Sequence, residues 1–187
     1  LLNCIAELRL AKETADFFSE MSAPEQRDWI RDLKRRSILP SSGCPTVCIL
    51  DTGINRSHPL LDQLLDLTDM HAYEPAWNVT DHLGHGTEMA GLAVYGDITE
   101  ALVHNETIEL SHKLESVKIK PPVGENPPHL YGDITAEAIA RAEVQNPDKQ
   151  RIICMAVSAT DDRDRGRPSS WSACIDNLCA GANDQQQ

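Results

Sequence analysis

The chain begins with a helical pattern. Apolar side chains recur there at helical spacing, forming one face of a first helix with Ile5, Leu8, Ala15 and Phe18 and one face of a second with Trp29, Ile30 and Leu33. Ser22 and Glu25 stand in capping-box spacing, which favours the start of a second helix at this point. A linker rich in Pro, Ser and Gly follows at 40–45. The sequence therefore predicts a helical N-terminal extension over residues 1–40.

Beyond the linker the pattern changes to strands that alternate with helices. The continuous apolar run at 47–50 is typical of a strand buried on both faces of a sheet. Further strands are predicted at 116–120 and 152–157, and helices at 86–95, 134–144 and 170–180. This alternation predicts the α/β class, a three-layer αβα arrangement with a mainly parallel sheet over residues 46–187.

Composition and charge narrow the classes of function. The 187 residues are 41% hydrophobic and 25% charged, as in ordinary globular proteins. No apolar stretch approaches the roughly 20 residues of a membrane span, so we expect no membrane insertion. The formal net charge of −12 would repel phosphate backbones, which makes nucleic acid an unfavourable partner.

The cysteines give no sign of a disulfide framework or a metal site. The six are dispersed, no secretory signal precedes them, and their spacings do not match a zinc knuckle. We therefore expect no metal and no cofactor. Free thiols and the absent leader favour a cytoplasmic location, with secretion as the alternative.

Two residues stand at positions where functional side chains are usually found in proteins with a parallel sheet. Asp51 closes the apolar run at 47–50, and the carboxyl ends of parallel strands form the ligand-binding edge of such a sheet. His85 lies between Gly84 and Gly86 at a predicted helix start. A carboxylate beside an imidazole forms a general base. Taken singly, Asp51 could instead cap a turn and His85 could be structural.

The two motifs around these residues, Asp-Thr-Gly at 51–53 and His-Gly-Thr at 85–87, resemble the first two catalytic blocks of the subtilisin-like serine peptidases. The resemblance covers roughly residues 46 to 180. It implies a triad in the chain order Asp, His, Ser. Asp51 would orient His85, and His85 would take the proton of a serine that attacks a peptide bond. The resemblance further implies that Ala156, Val157 and Ser158 bind a polypeptide substrate as an added strand.

The third block of the triad is missing from the 187 residues. No Gly-Thr-Ser-x-Ala sequence occurs, and Ser169, Ser170 and Ser172 are expected to cap and pack a helix. We therefore expect a partial catalytic domain, truncated before the nucleophile and inactive without the missing C-terminal part. Leu60 stands where calcium-binding relatives often place an aspartate, which argues against that calcium site.

Three alternatives remain open at this point. The scaffold could be a non-catalytic binding or regulatory module of subtilase type. Asp-Thr-Gly also introduces the catalytic aspartate of retroviral-type aspartic peptidases, whose fold is all-β. Finally, Asp51, His58, His82 and His85 could form a metal site.

Overall fold

The computed structural model describes residues 16–159 and 166–181. The helices are α1 Asp16–Ser19, α2 Ala23–Arg36, α3 His85–Tyr95, α4 Ile98–Val103, α5 Tyr131–Gln145 and α6 Ser170–Cys179, with a 3₁₀ turn at Pro128–Leu130. The strands are β1 Ser37–Ile38, β2 Thr46–Asp51, β3 Leu65–Ala72, β4 Ile108–Glu109, β5 Lys113–Lys118 and β6 Arg151–Cys154. The helix predicted around Ile5 and Leu8 lies outside the described residues.

Among the described residues, four strands form the central sheet, in the order β3-β5-β2-β6, and every neighbouring pair is parallel. β2 is an inner strand. Its last residue, Asp51, lies beside Lys118 of β5, and its Ile49 lies beside Cys154 of β6. The carboxyl end of β2 therefore opens onto the edge of the sheet where ligands bind in folds of this type.

Helices cover both faces of the sheet. On one face, Ile49 and Leu114 pack in a buried cluster with Ala90 of α3. On the other face, Cys48 and Leu50 pack with Ala138 of α5. Alternate residues of β2 thus point into two different cores, because successive strand side chains point to opposite faces. This confirms the predicted αβα fold.

The observed elements differ from the predictions both in which elements exist and in where they begin and end. β3 and the short α4 were not predicted at all. The strand predicted at 116–120 occupies Lys113–Lys118, and the strand predicted at 152–157 ends at Cys154. Ala156, Val157 and Ser158 consequently lie in an irregular segment after β6 and not within a strand.

The helical extension packs on the body of the molecule. Ser22 is the N-cap residue of α2, and its backbone N–H and hydroxyl both donate to the Glu25 carboxylate, at 2.9 and 2.6 Å. Leu33 is fully buried in a cluster that contains Leu60 and Leu102. The division into an extension at 1–40 and a catalytic domain at 46–187 stays a prediction. None of the helices within the described ranges has the length and apolarity needed to cross a membrane.

Candidate active site

The site is built around Asp51, whose side chain is buried at the end of β2. Its carboxylate accepts a hydrogen bond from the Thr52 backbone N–H at 2.7 Å. Its backbone carbonyl accepts from the N–H groups of Ile119 and Lys120 at 2.8 and 3.3 Å. The residues that directly follow β5 therefore hold the Asp51 backbone, and the carboxylate has capacity for a further donor.

His85 supplies that donor. It is the first residue of α3, and Gly84 precedes it with a φ of +94°, a left-handed conformation that favours glycine. The Nδ1 atom of His85 lies 2.9 Å from each carboxylate oxygen of Asp51. A carboxylate only accepts hydrogen bonds, so Nδ1 carries the proton and Nε2 is left as the basic nitrogen. The side chain of His85 is 45% exposed, within reach of solvent or substrate.

Two glycines allow the strand end and the helix start to come this close. A Cβ on Gly86 would lie 2.1 Å from the carbonyl oxygen of Gly53, far inside van der Waals contact. Gly53 has a φ of +96°, and a Cβ there would lie 2.5 Å from the Val79 carbonyl oxygen. Gly86 is therefore required by the contact between the two blocks, and Gly53 by the close approach of the segment at 79–81.

Asp81 is a residue of the site that sequence reasoning missed. One of its oxygens accepts from the Thr52 hydroxyl at 2.8 Å and from the N–H groups of Leu83 and Gly84 at 3.0 and 2.8 Å. The other oxygen accepts from the Thr87 N–H at 2.8 Å and the Thr87 hydroxyl at 2.6 Å. Burial by itself would raise the pKa of Asp81, but the bonds from Thr87, Thr52 and Leu83 outweigh it and hold the pKa below its usual value.

A buried lysine contacts the segment at 79–84 that precedes His85. Lys118 is only 1% exposed, and its Nζ donates to the Thr80 carbonyl oxygen at 2.9 Å. Burial lowers the pKa of Lys118, while the negative charge of Asp81 opposes that shift. Lys118 thus joins β5 to the segment that leads into His85.

Comparison with protein-family models gives a family that agrees with this geometry. A family model described as the subtilase family, Peptidase S8, matches residues 43–187. The chain belongs to the subtilase family. This places it among the serine-type peptidases, in which a catalytic triad is general. No curated protein and no solved structure gives a significant match.

The segment predicted to bind substrate in this subtilase lies at the same edge of the sheet as Asp51. It follows β6, whose last residue, Cys154, is paired with Ile49. Ala156 and Ser158 are exposed, and Val157 packs against the cluster on the α5 side. A narrow cleft runs beside this segment, lined by Ile119, Lys120, Asn126, Tyr131, Val157, Ser158 and Trp171.

The serines near the C-terminus of the subtilase chain have a structural role. The Ser169 hydroxyl accepts from the Ser172 N–H at 3.1 Å, and the Ser172 hydroxyl accepts from the Ser169 N–H at 2.8 Å. This reciprocal pair caps the start of α6. The capping geometry agrees with the sequence prediction that these serines cap a helix.

The histidines of the metal alternative bind separate groups. Nδ1 of His58 accepts from the Leu60 N–H at 3.4 Å, and Nδ1 of His82 lies 3.3 Å from the Thr52 carbonyl oxygen. Nδ1 of His85 is engaged by Asp51. Within residues 16–159 and 166–181, no three His, Cys, Asp or Glu side chains are grouped so that they could hold a metal ion.

Proposed function

We propose that this subtilase contributes the Asp and His of a triad that hydrolyses peptide bonds as a serine endopeptidase. The observation that carries the proposal is the contact of His85 Nδ1 with both oxygens of Asp51 at 2.9 Å. Asp51 fixes the imidazole tautomer and stabilises the imidazolium that forms during reaction. Nε2 of His85 takes the proton of the serine hydroxyl as that oxygen attacks the peptide carbonyl, and later gives it to the leaving amine.

The nucleophile comes from a serine block that the 187 residues do not contain. Ser169 and Ser172 are engaged in capping α6, which leaves them unsuited to attack a substrate. The missing C-terminal part of the catalytic domain is therefore a necessary partner, and we expect the chain alone to be inactive. Loss of the nucleophile removes the group that forms the covalent intermediate, so turnover should be abolished and not merely slowed.

A polypeptide substrate would lie along Ala156, Val157 and Ser158. The segment runs on from β6 with two of its three residues exposed. Within the described ranges, no backbone hydrogen bond joins these residues to another part of the chain. Strand addition by a peptide requires backbone donors and acceptors that are not already paired within the sheet, and the segment after β6 meets this condition among the described residues.

The deciding experiment uses the product of the whole reading frame that encodes these residues. We expect it to hydrolyse peptides and to be labelled by a fluorophosphonate on serine. The Asp51→Asn substitution should lower kcat by about 10⁴-fold, because the asparagine favours the wrong imidazole tautomer. His85→Ala should have an effect of similar size, since it removes the base.

Asp66→Asn is the matched control. Asp66 is an exposed carboxylate whose one ion pair among the described residues is with Lys113, at 3.2 Å, and its loss should leave hydrolysis unchanged. Wild-type turnover of Asp51→Asn or His85→Ala would contradict the proposal. A reading frame with no serine block, and a product without fluorophosphonate labelling, would instead favour the non-catalytic module.

The aspartic-peptidase alternative has no support in the described residues. Its fold is all-β, whereas this sheet is parallel and covered by helices. The partner of Asp51 is an imidazole, and an aspartic peptidase needs a second carboxylate at that place.

A further inference from the structure

Asp81 joins the two motifs whose contact forms the candidate site. Thr52 follows Asp51, and its hydroxyl donates to Asp81 at 2.8 Å. Gly84 precedes His85, and its N–H donates to the same carboxylate oxygen at 2.8 Å. One oxygen atom is therefore bonded to a neighbour of the aspartate and to a neighbour of the histidine.

The Thr52 hydroxyl is an acceptor as well as a donor of hydrogen bonds. It accepts a hydrogen bond from the Gly86 N–H at 2.9 Å while it donates to Asp81. Thr52 is 2% exposed, so water does not compete with these bonds. The backbone on both sides of His85, at Gly84 and at Gly86, is thus tied to the Asp81–Thr52 pair.

The second oxygen of Asp81 connects the first turn of α3 to the loop that follows the aspartate motif. It accepts from the N–H and the hydroxyl of Thr87, in the first turn of α3. The Thr87 hydroxyl in turn accepts from the Asn55 N–H at 3.0 Å, in the loop that follows the aspartate motif. The first oxygen of Asp81 therefore bridges the two segments directly, and the second does so through the Thr87 hydroxyl.

These bonds matter for His85 because its side chain is only partly buried. The side chain is 45% exposed, and its contact with Asp51 is set by where the first turn of α3 begins. Hydrogen bonds to a charged carboxylate are stronger than those between neutral groups.

We propose that Asp81 is a positioning residue that holds His85 against Asp51 by tying the two motifs together through Thr52 and Thr87. Asp81 acts through the backbone around His85 and does not touch the reacting atoms. The inference rests on the proposed function only for its consequence in catalysis, because the hydrogen bond it controls can be observed in the chain itself.

The test is NMR of the His85 imidazole in the 187-residue chain. The proton on Nδ1, assigned by its loss in His85→Ala, should be held between the imidazole and Asp51 and exchange slowly with water. In Asp81→Ala we expect this proton to exchange at least about tenfold faster, as follows from the loss of 1.4 kcal/mol or more of positioning energy. In the control Asp66→Ala the exchange rate should equal that of the wild type.

Equal exchange rates in Asp81→Ala and Asp66→Ala would overturn the proposal. If Asp81→Ala does not fold, as judged from its amide spectrum, Thr52→Val and Thr52→Ser decide the question. Valine removes the hydroxyl that accepts from Gly86 and donates to Asp81, whereas serine keeps it. If the His85 Nδ1 proton exchanges fast in Thr52→Val but slowly in Thr52→Ser, the inference is supported. If the proton exchanges at the same rate in both variants, the inference is overturned.

The consequence for catalysis is a change in kcat without a change in KM. In the product of the whole reading frame, Asp81→Ala should lower kcat by about 100-fold, because a misplaced base loses the aligned geometry while substrate binding is retained. An unprotected Nδ1 proton with unchanged kcat would contradict the positioning role. A protected Nδ1 proton in a wild-type protein without hydrolysis would instead contradict the proposed function and leave the hydrogen-bond inference standing.

Discussion

At the scale of single residues, α3 contains two glycines that are present for different reasons. Gly86 is buried, and an added Cβ would lie 2.1 Å from the Gly53 carbonyl oxygen. Gly91 lies one and a half turns later in the same helix, and an added Cβ there would meet no atom within 4 Å. The same substitution should therefore have opposite effects at the two positions.

We expect Gly86→Ala to lower the free energy of unfolding by about 1–3 kcal/mol or more, because the strand end and the helix start must separate. Gly91→Ala should raise it by about 0.5–1 kcal/mol, because alanine loses less conformational entropy in a helix. Urea denaturation of the two variants beside the wild type measures both. Destabilisation of similar size in the two would show that the contact with Gly53 is not what requires Gly86.

The sequence singled out Asp51 and His85 but not Asp81. Asp51 ends a continuous apolar run and His85 stands in a Gly-rich turn before a helix, so a local pattern marks each of them. The role of Asp81 depends on its bond to Thr52, which is distant in the chain. No local pattern reports such a bond, and Asp81 could be found only once the two motifs were in contact.

At the scale of elements, a buried ionic network joins the strands on the α5 side of the sheet. Glu115 of β5 is 1% exposed and pairs with Arg151 of β6, whose second guanidinium nitrogen donates to it at 2.9 Å. Lys149 bridges Glu115 and Asp69 of β3, at 3.2 and 2.7 Å. Burial raises the pKa of Cys48, which lies between these strands, to about 12, and the charge of Glu115 adds to the shift.

This network predicts how stability depends on pH. Burial favours a higher pKa for Glu115, but the bonds from Arg151 and Lys149 outweigh it and lower the pKa. A carboxyl group with a lower pKa in the folded state stabilises the protein above its unfolded pKa of about 4.3, and this stability is lost as the pH falls. Glu115→Gln should therefore flatten the loss of stability below that pH.

At pH 7 the same substitution should cost about 3–5 kcal/mol, because it leaves the buried Arg151 without its carboxylate. Glu137→Gln is the control, since Glu137 is half-exposed and pairs with Arg141 one helical turn away. That change should cost less than about 0.5 kcal/mol. The measurement is thermal unfolding of the wild type, Glu115→Gln and Glu137→Gln between pH 7 and pH 3. If the stability of Glu115→Gln and of the wild type changes with pH in parallel, Glu115 is not the source of the pH dependence.

The elements that could be predicted are those with a clear apolar pattern. β2 is a continuous apolar run, and α3, α5 and α6 lie within a few residues of their predicted ranges. β3 escaped prediction because its positions 66–68 are exposed and its pairing shifts register between Leu65 and Met70. Residues 155–157 were predicted to extend β6 because Met155 and Val157 are apolar. These two side chains pack on the α5-side cluster, and the pairing of β6 with β2 ends at Cys154.

At the scale of the whole molecule, the two edges of the sheet differ in their surface. β6 is the last strand on its side within the described residues, with Ile152 64% and Ile153 37% exposed. β3 forms the opposite edge, where Leu67 is 71% exposed but the register shift interrupts the strand. A regular edge with apolar side chains is a template for pairing with another chain, whereas an interrupted edge is not.

We therefore expect the 187-residue chain to self-associate through β6. Its net charge of −12 opposes association, so raising the salt concentration should increase the associated fraction in sedimentation velocity. Ile152→Lys should reduce that fraction strongly, because it places a charge on the free edge. Leu67→Lys changes the net charge equally and should leave self-association as in the wild type. A wild-type chain that stays monomeric at all salt concentrations, or equal effects of the two substitutions, would exclude β6 as the associating edge.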